Sequence, residues 1–137
     1  MNKLFNSFEY NIKTSKTEEF IDITSLVQKS IKDSAVENGL VLVFCPHTTA
    51  GITINENADP DVVRDILTTF DKVFPHKGDY WHSEGNSHAH LKSSCVGASS
   101  TLIVEEGKLK VGTWQGVYFC EFDGPRNRKV YIKVMDD

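Results

Sequence analysis

Leu40-Val41-Leu42-Val43-Phe44-Cys45 is a continuous apolar run rich in β-branched residues, and it reads as the central strand of a sheet. Pro46 breaks the run, and residues 48–54 resume as a second β segment. On the N-terminal side a helix closes at Gly39; Val27, Ile31 and Ala35 share one of its faces and Thr24 stands at its N-cap position. Further back, Phe8, Tyr10 and Ile12 alternate with polar residues, the period of a strand, and Phe20-Ile21-Asp22-Ile23 makes a second short one.

Downstream, Asp59-Pro60 opens a helix with a capping carboxylate and a proline at the first helical position. Val62, Ile66 and Phe70, with Val63 and Leu67, form its buried stripe. Residues 73–88 are polar and rich in Gly, Pro and Ser, a long connection of the kind that is functional or disordered. A hairpin follows, with 101–104 and 108–111 flanking Glu105-Glu106-Gly107, and then 117–123 and 130–135 flank another turn at Gly124-Pro125-Arg126-Asn127. Seven or eight strands with two main helices predict an α+β protein built on an antiparallel β-sandwich, one domain over residues 1–137.

A net charge of −4 excludes a general nucleic-acid or anionic-membrane surface, leaving room for a local basic patch at Arg126, Arg128 and Lys129. Cys45, Cys95 and Cys120 are odd in number and lack CxxC spacing, which suits reduced, mostly buried thiols. The N-terminus has no basic leader and no run is long enough to span a bilayer, so a cytoplasmic protein is expected.

Chemistry concentrates in the histidines. His82, His88 and His90 fall in one nine-residue run, His47 ends the apolar strand, and His76 sits in a Pro75-His76-Lys77-Gly78 turn that reads as exposed. A divalent-metal site needs about three protein ligands and one open position. His47, His82 and one of His88 or His90 would supply them; that last pair shares a face if extended and diverges if helical. Imidazole ligands favour zinc, whereas magnesium prefers oxygen and several waters.

Asp59 and Asp61 read as helix caps, whereas Glu56 precedes the cap and is a candidate general base or orienter of a ligand histidine; Glu84 is equally placed. Between two glycines, Trp114 is either core or a ligand platform, and Gln115 could bond backbone. Arg126 could clamp a phosphate or pair with Asp123 across the turn.

Two long motifs carry a resemblance. The stretch His47-Thr48-Thr49-Ala50-Gly51-Ile52-Thr53-Ile54-Asn55-Glu56-Asn57-Ala58-Asp59-Pro60 and the stretch from Gly112-Thr113-Trp114-Gln115-Gly116 to Gly124-Pro125-Arg126 closely resemble the YjbQ family of small bacterial and archaeal proteins. A third motif matches at His82, Glu84, Gly85, Asn86, His90, Leu91 and Lys92, and departs at His88 and Ser83, where the family commonly carries proline and aspartate. The resemblance therefore favours His90 over His88 as the ligand.

It implies an antiparallel β-sandwich with flanking helices, a homotrimer with the motifs near subunit boundaries, and secondary thiamine-phosphate synthase activity. That reaction joins an aminopyrimidine diphosphate to a thiazole phosphate with release of pyrophosphate. It would need a cation on the pyrophosphate, Arg126 or Lys92 on phosphate, and Trp114 as a flat surface, with Gln115 and Asn57 completing the substrate set. Two alternatives stay open: a metal-dependent hydrolase with Glu56 or Glu84 as base, and a non-catalytic trimeric protein that binds metal or ligand. The partners expected are a small phosphorylated molecule and further copies of the chain, with no nucleic acid and no membrane.

Overall fold

The apolar run at 40–45 does become the middle of a sheet. The computed structural model describes residues 6–137. In chain order its elements are β1 (Ser7–Lys13), β2 (Glu19–Asp22), α1 (Thr24–Ser34), β3 (Gly39–Phe44), β4 (Ala50–Glu56), α2 (Pro60–Val73), α3 (Ser87–Val96), β5 (Ser99–Glu105), β6 (Lys108–Lys110), β7 (Gln115–Glu121) and β8 (Asn127–Asp136). A five-stranded sheet runs β1-β8-β3-β5-β6 and a three-stranded one β2-β7-β4. All pairings are antiparallel. The fold is α+β, an antiparallel β-sandwich with helices against it.

Strand alternation builds the first core. Val41, Val43, Val130, Ile132 and Val134 from the large sheet meet Ile52, Val117 and Phe119 from the small one, with Val27 and Ile31 of α1. Gly39 opens β3 because nothing larger fits: a Cβ there would lie 1.9 Å from the carbonyl oxygen of Met135 on β8. Leu40 and Phe44 face the other way and are exposed. The strand is therefore central by pairing yet buried on one face.

A second core lies behind the small sheet. Tyr118, Cys120 and Phe122 pack there with Ala89 of α3 and with Phe20, Val63, Leu67 and Phe70. The α2 stripe is thus correctly sided but only half-buried, since no residue of that helix is fully enclosed. Asp59 caps α2 as expected, accepting the Asp61 amide at 2.9 Å.

Three local readings change. Thr24 is the first residue of α1 and not its cap; its amide and hydroxyl both donate to Asp22 Oδ1. The helix stops at Ser34 with Ala35 at φ 59°, four residues before Gly39 opens β3. A third helix, α3, occupies residues expected to be loop or unassigned. Among the described residues, no helix is long and apolar enough to cross a membrane.

Candidate functional site

Because 87–96 is helical, His88 and His90 diverge; two residues are about 200° around an α-helix. His88 turns inward to a buried network. Lys92, one turn along, has no exposed surface, and its ammonium donates to Asp71 Oδ1 (2.6 Å), to Glu18 Oε1 and to His88 Nδ1 (3.0 Å). All three of its protons are used. His76 stacks on His88 with ring centroids 3.8 Å apart, its Nε2 3.2 Å from Asp71 and 3.4 Å from Glu18. The turn histidine expected to be a bystander thus helps tie together the β1–β2 loop, α2 and α3.

Among the described residues, Glu18, His76 and His88 are the one trio whose potential ligand atoms lie within 4.8 Å of one another. Two features make it a poor metal centre. The Lys92 ammonium already sits among its acceptors. The two rings are also nearly parallel, 22° apart, so one ion cannot lie in both ring planes. We assign the cluster a structural role.

Burial pushes His88 down from 6.5 to about 4, with the charges of Lys92 and His76 adding to the effect and Asp123 and Asp71 opposing it. His88 is therefore neutral when folded. Between those two values the unfolded chain binds a proton that the folded chain refuses, so stability is full above about pH 6.5 and falls toward pH 4. In metal-free protein, His88→Gln should flatten the acid limb of the stability curve by on the order of 1–3 kcal/mol. Parallel urea-melt curves for the two proteins across that range would assign the acid loss to other groups.

His90 faces the other way, into a cavity of about 480 Å³ that it shares with His82, Asp79, Tyr80, Trp81, Ser87 and Leu91. The imidazoles of His82 and His90 meet at right angles with centroids 5.3 Å apart. Glu84 is exposed, its carboxylate 4.0 Å from His82 Nε2. Two of the three expected ligands therefore share one wall.

His47 does not join them within one chain. Its Nε2 accepts the Lys129 amide proton at 2.9 Å, and its ring packs edge-on against Phe119. Burial and the Arg128 charge lower its pKa. A neutral imidazole that accepts at Nε2 carries its proton on Nδ1. While the Lys129 bond holds, His47 presents its Nδ1 proton as a donor, and it does not line the His82–His90 cavity of its own chain.

The remaining candidates fall into separate groups. Glu56 is engaged at the start of α2 after all, its carboxylate accepting the Asp59 amide at 3.2 Å. Beside it, Asn57 Nδ2 donates to Asp22 at 3.2 Å and lies over Gly116, where a Cβ would sit 2.4 Å from that nitrogen. Gln115 opposes Glu56 across β4 and β7 and closes its own turn on the Gly112 amide at 2.8 Å; Trp114 is exposed. Arg126 takes the pairing option, bonding Asp123 Oδ2 at 2.9 Å, and Asp123 in turn accepts from Asn86 just before α3. Lys92 is buried beyond reach of a phosphate.

Arg128, expected in a local basic patch, is instead buried against Glu121, so no such patch forms from the three residues. Arg128 Nε donates to Glu121 Oε1 at 2.9 Å, Nη2 to Oε2, and Nη2 also to Thr49 Oγ1 at 2.8 Å. The signal was present: Arg128 is in phase with the inward residues Val130, Ile132 and Val134.

A family model described as "UPF0047 protein YjbQ-like" matches residues 8–137. The UPF0047 protein YugU of Bacillus subtilis (strain 168) is 60% identical over 126 residues, spanning 90% of this chain and 95% of its own. UPF0047 protein MJ1081 of Methanocaldococcus jannaschii is 52% identical over 130 residues, covering 95% of this chain and 94% of its own. Among solved structures, an uncharacterized conserved protein of Clostridium acetobutylicum matches with TM-score 0.93 at 65% identity, covering 93% of this chain and 99% of that one. A protein of unknown function from Sulfolobus solfataricus P2 gives TM-score 0.92 at 33% identity over 96% of each chain. These relatives overturn the expected activity. They are described as UPF0047 proteins, uncharacterized or of unknown function, and neither thiamine-phosphate synthesis nor metal-dependent hydrolysis finds support among them.

Proposed function

This chain belongs to the UPF0047 family of YjbQ-like proteins, and from that premise we propose that it binds a divalent transition metal on the His82–His90 wall, next to a small phosphorylated ligand, in an assembly of three copies. The observation that carries the metal is the meeting of two imidazoles, 5.3 Å apart, on one cavity. Imidazole donors select zinc or its neighbours over magnesium. Two protein nitrogens leave coordination positions for ligand or water, and Asp79 lines the same cavity.

An anionic ligand is supported by the half-exposed guanidinium of Arg126, of which Asp123 engages Nε and Nη2 and leaves Nη1 to donate. Oligomerisation is supported by the outer face of the large sheet, where Leu40, Phe44, Ile103, Tyr131 and Met135 are all exposed. A cytosolic location fits three free cysteines.

Cobalt(II) titration followed by its visible absorption tests the metal reading. Wild type should bind in the micromolar range or tighter. Both His82→Ala and His90→Ala should lose more than about hundredfold in affinity, beyond the 10–100-fold typical of supporting partners. His88→Ala should hold its affinity to within about tenfold. Wild-type binding that survives both ligand substitutions, or no binding at all, overturns the assignment.

A further inference from the structure

The two walls of the His82–His90 cavity differ in how firmly the chain holds them. His90 stands on α3, whereas Asp79, Tyr80, Trp81 and His82 belong to a segment outside helix and strand. From residue 77 to residue 85 only Tyr80 is even partly buried. An exposed stretch of that kind makes few contacts of its own and moves on nanosecond to microsecond times unless it is tied down. Where His82 stands relative to His90 is therefore decided by the ties at the two ends of the segment.

At the far end Asn86, just before α3, donates from Nδ2 to Asp123 at 2.9 Å. At the near end the tie is His76. Its Nε2 reaches Asp71 of α2 at 3.2 Å and Glu18 of the β1–β2 loop at 3.4 Å. Both carboxylates are held by the buried Lys92 ammonium, and Lys92 is a residue of α3. One lysine thus fixes the helix that carries His90 and also the carboxylates that grip the segment carrying His82. The Tyr80 hydroxyl donates to the Pro75 carbonyl at 2.7 Å, but that bond is internal to the segment and ties it to nothing else. Without His76 the chain leaves α2 at Phe74 with no contact to set its direction.

We propose that His76 is a positioning residue for the metal site: by gripping Asp71 and Glu18 it holds the His82 wall against His90 before any metal arrives, and so sets the affinity of the site. The inference rests on the metal reading above and adds to it a residue that touches neither metal nor ligand. A site ordered in advance binds more tightly because no ordering is left to be done on binding. Hydrogen bonds fix direction where a stacked ring can slide, so the two carboxylates carry the tie more than the ring of His88 does.

Two substitutions and two readouts test it. The His76 side chain is 46% exposed, so His76→Ala should leave the urea midpoint nearly unchanged, as surface substitutions do; that control separates loss of position from loss of fold. Cobalt(II) affinity should nonetheless fall by about 10–100-fold, the range for residues that orient a ligand without being one. The amide of His76→Gln still donates to the two carboxylates and should recover most of that loss. An amide is a poor cobalt ligand beside imidazole, so equal losses in the two variants would make His76 a ligand and overturn the positioning role. The second readout needs no metal. In a Trp114→Phe background Trp81, next to His82, is the sole tryptophan, and its time-resolved fluorescence anisotropy follows the segment. His76→Ala should add a fast depolarising motion that His76→Gln lacks. Unchanged anisotropy in His76→Ala, or unchanged cobalt affinity, overturns the proposal. If wild type binds no cobalt while the anisotropy changes as expected, the metal reading falls and the anchoring of the His82 wall stands.

Discussion

Replacing Arg128 with methionine should lower folding stability by about 3–5 kcal/mol, the range found when a buried ion pair loses one member. Glu121 has no exposed surface and Arg128 is 5% exposed. The carboxylate also accepts from the Thr14 hydroxyl at 2.7 Å and the Asp123 amide at 3.1 Å. Those two neutral donors cannot replace a guanidinium, so methionine leaves a negative charge in the interior without its counter-ion. The effect lies in the orphaned partner more than in the lost bond. Arg128→Met combined with Glu121→Leu should therefore recover at least half of the loss, which urea melts of the three variants would measure. A single variant that loses less than about 1 kcal/mol would mean the pair behaves as a solvated surface bridge.

Lys92→Met should be the next most damaging change, at about 2–4 kcal/mol, below the fully buried range because Asp71 is 43% exposed and water can reach it. Methionine preserves bulk but leaves Glu18 facing Asp71 and takes the donor from His88 Nδ1. The damage should be local as well as global. Through His76 the network reaches the polar segment before α3, so amides of residues 76–92 should exchange faster than those of β3 and β8. Uniform acceleration across the molecule would make Lys92 a contributor to overall stability with no special hold on that segment.

Strands and the second helix could be read from the chain because apolar burial writes a period into it. Phe8, Tyr10 and Ile12 are spaced for a pleat, and Asp59-Pro60 marks a helix start in chemistry that few other structures use. The third helix escaped for the same reason in reverse. Its buried residues are His88, Ala89, Lys92 and Ser93. A helix held by hydrogen bonds and charge has no apolar stripe to betray it. The candidate site divides likewise. His82 and His90 were found by clustering, and they do share a cavity. Glu18 and Asp71 were not, since each lies in an ordinary polar stretch and gains meaning only when α3 brings Lys92 to it. His47, expected beside them, instead holds the Lys129 amide away from that cavity within its own chain.

The strand β7 has both faces enclosed: Val117 and Phe119 belong to the core between the sheets, and Tyr118 and Cys120 to the core beneath the helices. Neighbouring residues on one short strand thus carry alternate layers of the molecule. Cooperativity follows from this arrangement. Both layers share one wall, so global unfolding should take them together, with tertiary and secondary structure lost in coincident transitions. A defect in one core, such as a truncated Phe119, should then propagate to amides of α2 that it never touches.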